Sequence, residues 1–137
     1  MDLTDDIEHL LKFNQSLCSY DTNEIESFFH KDFKGCWPQY SVEECTSRST
    51  LRILHGLMAN RKKIIINKIE SFDRFEWVSR ISLEEALYLG ESQSNIQEFL
   101  ISIYEIRDES ILSLIQYISP IRNTGRSLEE LSTLFIL

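Results

Sequence analysis

The segment at residues 96–119, IQEFLISIYEIRDESILSLIQYIS, decides the fold that this sequence predicts. Two runs rich in Ile, Leu, Phe and Tyr flank the polar tetrad at 107–110, which is the pattern of two strands joined by a turn. Both runs are apolar at odd and at even positions, so each strand should be covered on both faces or lie in a dimer interface. We therefore expect a central β-hairpin around which the other elements pack.

Length and composition predict a single globular domain. The chain has 137 residues, of which 42% are hydrophobic and 26% charged, with only two prolines and four glycines. Such a chain can bury one core but leaves little sequence for a linker or a second domain. We expect one domain over 1–137, with its core at about 5–119 and a helical tail at about 126–137.

Charge and cysteine content exclude several classes of partner. A formal charge of −8 opposes binding to nucleic acid or to anionic membranes, because phosphate contacts require a basic surface. The first residues are acidic where a signal peptide is basic, and no uninterrupted apolar run approaches the length of a membrane span. The three cysteines Cys18, Cys36 and Cys45 fit free thiols in a reducing compartment. We expect a cytoplasmic protein without nucleic acid or membrane partners.

Three helices are predicted upstream of the hairpin. Apolar residues at three- and four-residue spacing (Ile7, Leu10, Leu11, Leu17 and Cys18) predict the first helix over 5–19. Asp21 and Glu24 form a capping-box pair that begins a second helix, which should end near Lys31. A third helix is predicted around Leu54. Between the second and third helices, residues 34–37 are predicted to form a short strand that ends at Pro38. Residues 40–47 fit a loop or a capped turn equally well.

Two strands should connect the third helix to the hairpin. We predict one strand over 63–70, a turn over 71–74, and a second strand over 75–82 that places Trp77, Ser79 and Ile81 on one face. The stretch from Ser82 to Glu85 again has capping-box spacing, so one or two helical turns compete there with a continued strand. After the hairpin, a capped amphipathic helix is predicted in the tail, where it would dock over the domain or on a partner.

The order of these elements resembles the nuclear transport factor 2-like superfamily and its SnoaL-like branch. The motifs that carry the resemblance are FFHKDF at 28–33, WP at 37–38, YEIRD at 104–108, Ile111, and QY at 116–117. The resemblance implies an α+β fold in which a curved antiparallel sheet wraps around three helices into a cone. It further implies an apolar pocket at the wide end of the cone and, in many members, a dimer formed through the sheet.

The acid-base groups used by steroid isomerases of this superfamily are missing from the matching positions. The resemblance places their tyrosine, aspartate base and protonated aspartate at Phe13, Trp37 and Ser102. A proton cannot be moved next to a carbonyl without a base, and an enolate is not stabilised without a hydroxyl at the first position. Steroid isomerase activity is therefore not expected.

Epoxide hydrolases of the superfamily use two aspartates and an arginine, and this set is also incomplete. Arg80 could supply the arginine, but Ser82 and Gln116 stand where the carboxylates are needed. A glutamine orients a ligand but cannot take a proton. Polyketide cyclases of the SnoaL-like branch use a carboxylate in the late strands, which the same gap affects.

His55 is the one catalytic candidate that the sequence offers, because a histidine on the third helix could reach the pocket and act as a base. The alternative is a surface or hydrogen-bonded structural histidine. Cys36 and Cys45 lack the paired close spacing of a structural zinc site, so we expect neither a metal nor another cofactor.

The interpretation that fits best is a small-molecule binding domain for an apolar, polyketide-like or steroid-like ligand. We also expect the protein to form a homodimer through the sheet. The residues that we expect to line its pocket are Phe13, Trp37, Trp77, Ser102, Tyr104 and Gln116. The aromatic members could equally be core residues. One alternative is a SnoaL-like cyclase, isomerase or hydrolase with an unrecognised dyad, such as His55 with a carboxylate. Another is a protein-interaction module that uses the sheet and the apolar tail.

Overall fold

A computed structural model describes residues 3–19, 21–58, 63–88 and 96–120 of the protein. The helices in these ranges are α1 (Leu3–Ser19), α2 (Thr22–Ser27) and α3 (Ser47–Met58), and the strands are β1 (Phe29–Trp37), β2 (Val42–Cys45), β3 (Lys63–Phe75), β4 (Val78–Tyr88), β5 (Ile96–Arg107) and β6 (Ser110–Pro120). A 3-10 turn at Pro38–Tyr40 links β1 to β2. The predicted tail helix at 126–137 lies outside the described residues.

The six strands form one open sheet in the order β2-β1-β6-β5-β4-β3. Every neighbouring pair is antiparallel except β1 and β6, which run parallel. The predicted α+β class is thus confirmed, with a mixed sheet in place of a purely antiparallel one. The reason is the path of the chain. The first strand, β1, lies beside β6, which is distant in sequence, and the two strands run in the same direction.

The hairpin predicted at 96–119 is confirmed as β5 and β6. Arg107 pairs with Ser110, and the two residues between them, Asp108 and Glu109, have φ values of 52° and 61°. Positive φ at both central positions is the geometry of a type I′ turn, whose twist matches that of the flanking strands. One face of β5 is buried in the core, whereas Ile101 and Ile103 on the other face are only partly buried.

The structure corrects one predicted boundary and assigns one stretch that the sequence left open. The second helix begins with Asp21, whose side chain accepts a hydrogen bond from the Glu24 N–H at 3.1 Å, as predicted. It ends at Ser27 and not near Lys31, because the chain joins the sheet at Phe29, whose Cα pairs with that of Ile111. Residues 42–45, which lie in the stretch left open between loop and capped turn, form the short strand β2.

The predicted turn over 71–74 is wrong. Strand β3 continues to Phe75, and the turn lies at Glu76 and Trp77, with Glu76 at φ 56°. Because β3 is an edge strand, its polar residues can face solvent while their backbone still pairs with β4. Strand β4 runs on to Tyr88 between β3 and β5, so the continued strand replaces the helical turn that competed for 82–88.

Helices α1 and α3 contribute to a core against one face of the sheet, and the buried face of α1 differs from the predicted one. Leu10 and Leu17 are buried as predicted, but Leu11 is exposed, and the polar residues Asp6 and Asn14 are buried with them. Positions 6, 10, 13, 14 and 17 share one face of a helix, so the buried stripe has two polar members. These two residues define the sites described below.

Helix α3 approaches β1 closely at Gly35. A Cβ atom added there would lie 2.5 Å from the Thr50 Oγ1 atom and 2.9 Å from the Trp37 ring. Glycine is required at this point because contacts this short have no room for a side chain. The Trp37 ring packs beside this close approach and is fully buried in the core.

Candidate functional site

A buried polar chain of six side chains lies between α1 and the face of the sheet that packs against the core. Its members are Asn14 on α1, Trp37 on β1, Glu85 on β4, Ser102 and Tyr104 on β5, and Gln116 on β6. Each of them is at most 2% exposed. Buried polar groups are tolerated when they are hydrogen-bonded to one another, and these are.

Glu85 is the centre of the buried polar chain. The Asn14 Nδ2 group donates to its Oε2 atom at 2.7 Å, and the Tyr104 hydroxyl donates to Oε1 at 3.0 Å and lies 3.1 Å from Oε2. The Ser102 hydroxyl also hydrogen-bonds to this carboxyl group. Three side chains from two elements, α1 and β5, therefore hold one acidic side chain in place.

The other half of the chain connects Ser102 to the core of β1. The Trp37 indole N–H donates to Gln116 Oε1 at 3.0 Å, and the Gln116 Nε2 group donates to Ser102 Oγ at 3.1 Å. Ser102 and Gln116 are directly paired across β5 and β6, so the sheet register fixes this contact. Ser102 thus joins the two halves of the buried polar chain.

The electrostatics of Glu85 favour its protonated form. Complete burial raises the pKa of this carboxyl, and the hydrogen bonds from Ser102, Asn14 and Tyr104 only partly oppose the effect. Burial, together with the neighbouring Glu85, raises the pKa of the Tyr104 hydroxyl well above its ordinary value. A carboxyl group whose pKa is raised by burial keeps its proton to a higher pH than an exposed one, and in that form it can donate a hydrogen bond.

One buried acceptor next to Glu85 is left without a donor. Asn14 uses its Nδ2 group on Glu85, but within the described ranges no group donates to its Oδ1 atom, which is shielded from solvent. A buried carbonyl oxygen without a donor is unusual in a folded protein. It is therefore a place at which a hydroxyl or N–H group of a ligand would be stabilised.

Solved structures with this architecture come from several bacteria. A cystatin-like protein of unknown function from Nostoc punctiforme matches with a TM-score of 0.69 at 9% identity, over 87% of this chain and 92% of that one. A nuclear transport factor 2-like protein from Anabaena variabilis matches with a TM-score of 0.60 at 12% identity, over 85% and 87%. A putative SnoaL-like polyketide cyclase from Shewanella denitrificans matches with a TM-score of 0.58 at 10% identity, over 97% and 99%.

The chain has the nuclear transport factor 2-like fold. The resemblance inferred from the sequence is confirmed at the level of the fold. No family model matches the sequence, and no curated protein matches it. Similarity at these identities defines the fold alone, so the chemistry depends on the side chains that this chain places in it.

Five of the six predicted pocket residues lie together in the nuclear transport factor 2-like fold. Trp37, Ser102, Tyr104 and Gln116 are members of the buried polar chain, and the Phe13 ring contacts the Tyr104 ring edge-on with centroids 6.2 Å apart. Trp77 is not with them, because it lies in the β3–β4 turn and is 76% exposed. His55 is partly buried on α3 and is not among the groups that hydrogen-bond to Glu85 in the described part of the chain.

The sequence interpretation missed Glu85 and Asn14. The signal for Glu85 was the alternation of β4: continuing from Ser79 and Ile81 places Leu83 and then Glu85 on the core face. The capping-box spacing that begins at Ser82 obscured this alternation. The sequence predicted that the superfamily's usual acid-base set is absent. The structure nevertheless has one buried carboxyl, that of Glu85, at a position where none was predicted.

Two negative findings concern the described residues alone. Among them, no group of three or more His, Cys, Asp or Glu side chains is arranged to hold a metal ion. None of the helices that the structure describes is long and apolar enough to cross a membrane.

Proposed function

We propose that this protein is a small-molecule binding domain in which the buried polar chain recognises the polar group of a largely apolar ligand. The observation that carries the proposal is the arrangement around Glu85, where a protonatable carboxyl lies beside the undonated Asn14 Oδ1 atom. Ligand sites typically combine an apolar lining with a few placed polar groups. Phe13 and Trp37 supply apolar surface beside these polar groups.

A ligand with a hydroxyl group fits the hydrogen-bonding capacity of this site. Its O–H can donate to Asn14 Oδ1, and its oxygen can accept from a protonated Glu85. The likeness to a putative SnoaL-like polyketide cyclase supports polyketide-like or steroid-like compounds, which carry few polar groups on an apolar frame. We therefore place hydroxylated polycyclic compounds first in the order of candidates.

Thermal shift with a compound panel tests this proposal. The panel contains steroid-like, polyketide-like and terpenoid compounds, and the proteins are the wild type, Glu85→Gln and Glu84→Gln. Glu84 is the matched control because it is a neighbouring, largely buried acid whose side chain hydrogen-bonds to Asn67 on β3, away from the buried polar chain. Because a ligand that binds the native state raises its melting temperature, at least one class should stabilise the wild type and Glu84→Gln but not Glu85→Gln. A panel without effect on the wild type contradicts the proposal.

An acid-base enzyme is the second candidate, and the raised pKa of Glu85 favours it specifically. A protonated carboxyl in an apolar site can act as a general acid toward a bound ligand. In this case Glu85→Gln would retain binding of the stabilising compound and lose its conversion, measured by mass spectrometry of the reaction mixture. Binding without any conversion by the wild type argues for the binding domain alone.

We further propose a homodimer formed through the face of the sheet that is turned away from the core. We also propose that the protein is cytoplasmic. Ile103 and Ile115 are paired across β5 and β6 on this face, and both are only partly buried. Within the described residues, Cys18, Cys36 and Cys45 form no disulfide, and this supports a reducing compartment. Native mass spectrometry measures subunit number and bound mass together, and Ile103→Lys should convert a dimer to a monomer. A wild-type monomer contradicts the dimer.

A further inference from the structure

Asp6 on α1 is a buried acid that accepts no hydrogen bond from the described residues, although His9, one turn further along the helix, interacts with it electrostatically. Its side chain is 0% exposed, and no group within the described ranges donates a hydrogen bond to either of its oxygen atoms. Burying a carboxylate without compensation is strongly unfavourable, so such a group in a folded protein calls for a missing ligand or ion. Asp6 is separate from the buried polar chain, since Asn14 lies two turns further along α1.

A surface cavity of about 220 Å³ lies against Asp6, at the end of the sheet where two turns meet. The β3–β4 turn contributes Trp77, and the β5–β6 turn contributes Asp108 and Glu109. The remaining wall is formed by Arg74, Ser79 and Ile106. The cavity therefore has a defined place in the fold, between the start of α1 and the adjacent ends of β3, β4 and β5.

The charges around this cavity favour a cation. Asp6, Asp108 and Glu109 are acidic, and Arg74 is the single basic residue in the lining. The Arg107 Nε atom lies 3.9 Å from Asp108 Oδ2 and offsets that acid, and Arg74 can offset a second, so one of the three negative charges remains. The type I′ turn fixes the backbone of Asp108 and Glu109, so their position at the rim is set by the hairpin.

The shape and lining favour an organic cation over a metal ion. A volume of about 220 Å³ matches that of about seven water molecules, which is the size of a small organic molecule. Trp77 provides an aromatic ring of the kind that attracts ammonium groups, and Ile106 provides an apolar wall. A primary ammonium group also carries three N–H donors. These can hydrogen-bond to the oxygen atoms of Asp6, to which no described group donates.

We propose that this cavity binds a small primary amine in its ammonium form, with Asp6 as the counter-ion, Asp108 and Glu109 at the rim, and Trp77 against the alkyl part. The site is independent of the proposed function at Glu85. Because Asp6 is fully buried, the ammonium group reaches it when side chains along the cavity move aside. Trp77 is exposed, so its ring has the freedom to do so.

A titration with propylammonium chloride, followed by NMR, tests the site with a built-in control. The protein has two tryptophans, and each contributes one indole N–H signal. Trp77 lines the cavity and is 76% exposed, whereas Trp37 is buried in the polar chain. We expect a saturable shift of the Trp77 signal and an unchanged Trp37 signal. Butanol of similar size and sodium chloride at equal ionic strength should leave both signals in place.

Matched variants assign the binding to Asp6. Asp6→Asn should weaken propylammonium binding about tenfold or more, because one charge-assisted contact is lost. Asp5→Asn removes the same charge from the preceding, exposed position and should change the affinity by less than about twofold. Asp108→Asn, which keeps the turn because Asn accepts positive φ, should weaken binding about threefold.

Three outcomes would overturn the proposal. An unshifted Trp77 signal would show that the cavity does not take an ammonium group. Equal weakening by Asp6→Asn and Asp5→Asn would show that the helix end attracts cations without a site. If Asp6→Asn fails to fold, Asp108→Asn and Trp77→Ala replace it, and unchanged affinity in both variants would likewise exclude the site.

Discussion

Glu85 and Asp6 are two fully buried acids of the same domain, and their surroundings are opposite. Glu85 accepts hydrogen bonds from Asn14, Tyr104 and Ser102, whereas no described group donates to Asp6. A satisfied buried acid can serve the fold, a ligand or both, because its partners already account for its presence. An unsatisfied one has no partner among the described residues that accounts for its burial. The two residues should therefore respond in opposite ways to removal of the carboxyl group.

Truncation of the two acids should give the largest difference. Glu85→Ala leaves the donors of Tyr104 and Asn14 unpaired in the core, and we expect it to lower the free energy of unfolding by about 3 kcal/mol. Asp6→Ala removes a buried acid that accepts no hydrogen bond from the described residues, and it should leave the free energy of unfolding unchanged or raise it by about 1 kcal/mol. Urea unfolding of both variants measures the difference. Equal losses would show that Asp6 has a stabilising partner.

Removal of a single hydroxyl group should have a smaller effect on the Glu85 side. Tyr104→Phe deletes the donor to both Glu85 oxygens, and we expect a loss of about 2 kcal/mol in the free energy of unfolding. Tyr40→Phe is the control, because Tyr40 is 60% exposed and should change stability by less than about 0.5 kcal/mol. A Tyr104→Phe variant as stable as the control would mean that the buried polar chain contributes nothing to the fold.

The pH dependence of stability sharpens the role of Glu85. Its pKa is raised above the ordinary value of 4.5, so above this value the folded state binds more protons than the unfolded state. Its contribution is fully present below 4.5 and is lost as the pH rises through the folded-state pKa. Glu85→Gln should therefore gain stability relative to the wild type as pH increases, by about 1.4 kcal/mol for each unit of the pKa shift.

Unfolding in urea at a series of pH values measures this gain. Burial also raises the pKa of Glu84, whose slope has the same sign, so Glu85→Gln should remove only part of the dependence. A difference between Glu85→Gln and the wild type that does not change with pH would contradict a raised pKa at Glu85.

The two tryptophans should give the smallest effect. Trp77 is 76% exposed, so Trp77→Phe should change the free energy of unfolding by less than about 0.5 kcal/mol. The same variant should remove most of the acrylamide quenching of tryptophan fluorescence, because the remaining Trp37 is shielded in the core. Strong residual quenching would show that Trp37 is accessible and that the region around Glu85 is open to solvent.

Much of the fold could be predicted because its signals are local. The polar tetrad at 107–110 between apolar runs and the capping box of Asp21 and Glu24 each specify an element without help from the rest of the chain. The turn between β3 and β4 was misplaced because the polar residues at 71–74 suggest a turn, while Glu76 has no special preference for positive φ. There the pairing of two long strands determined the structure.

The candidate site was only partly predictable, because burial of polar residues is a tertiary property. Ser102, Tyr104 and Gln116 were identified through the resemblance to a fold with a pocket. Glu85 was missed because its local sequence fits a helix cap as well as a strand, and its choice depends on the neighbours of β4. Asp6 lies in an acidic helix start, where an exposed carboxylate is the ordinary expectation.

The parallel pairing of β1 with β6 also bears on how the chain reaches its folded state. Strand β1 precedes α3 and the antiparallel strands β3 to β5, yet its neighbour in the centre of the sheet is the last strand described. During synthesis, β1 is made long before Ser110. The Trp37 indole N–H therefore has no hydrogen-bond acceptor until Gln116 has been made. Because pairings between distant segments form slowly, we expect the antiparallel strands to assemble first and the capture of β1 to limit the folding rate.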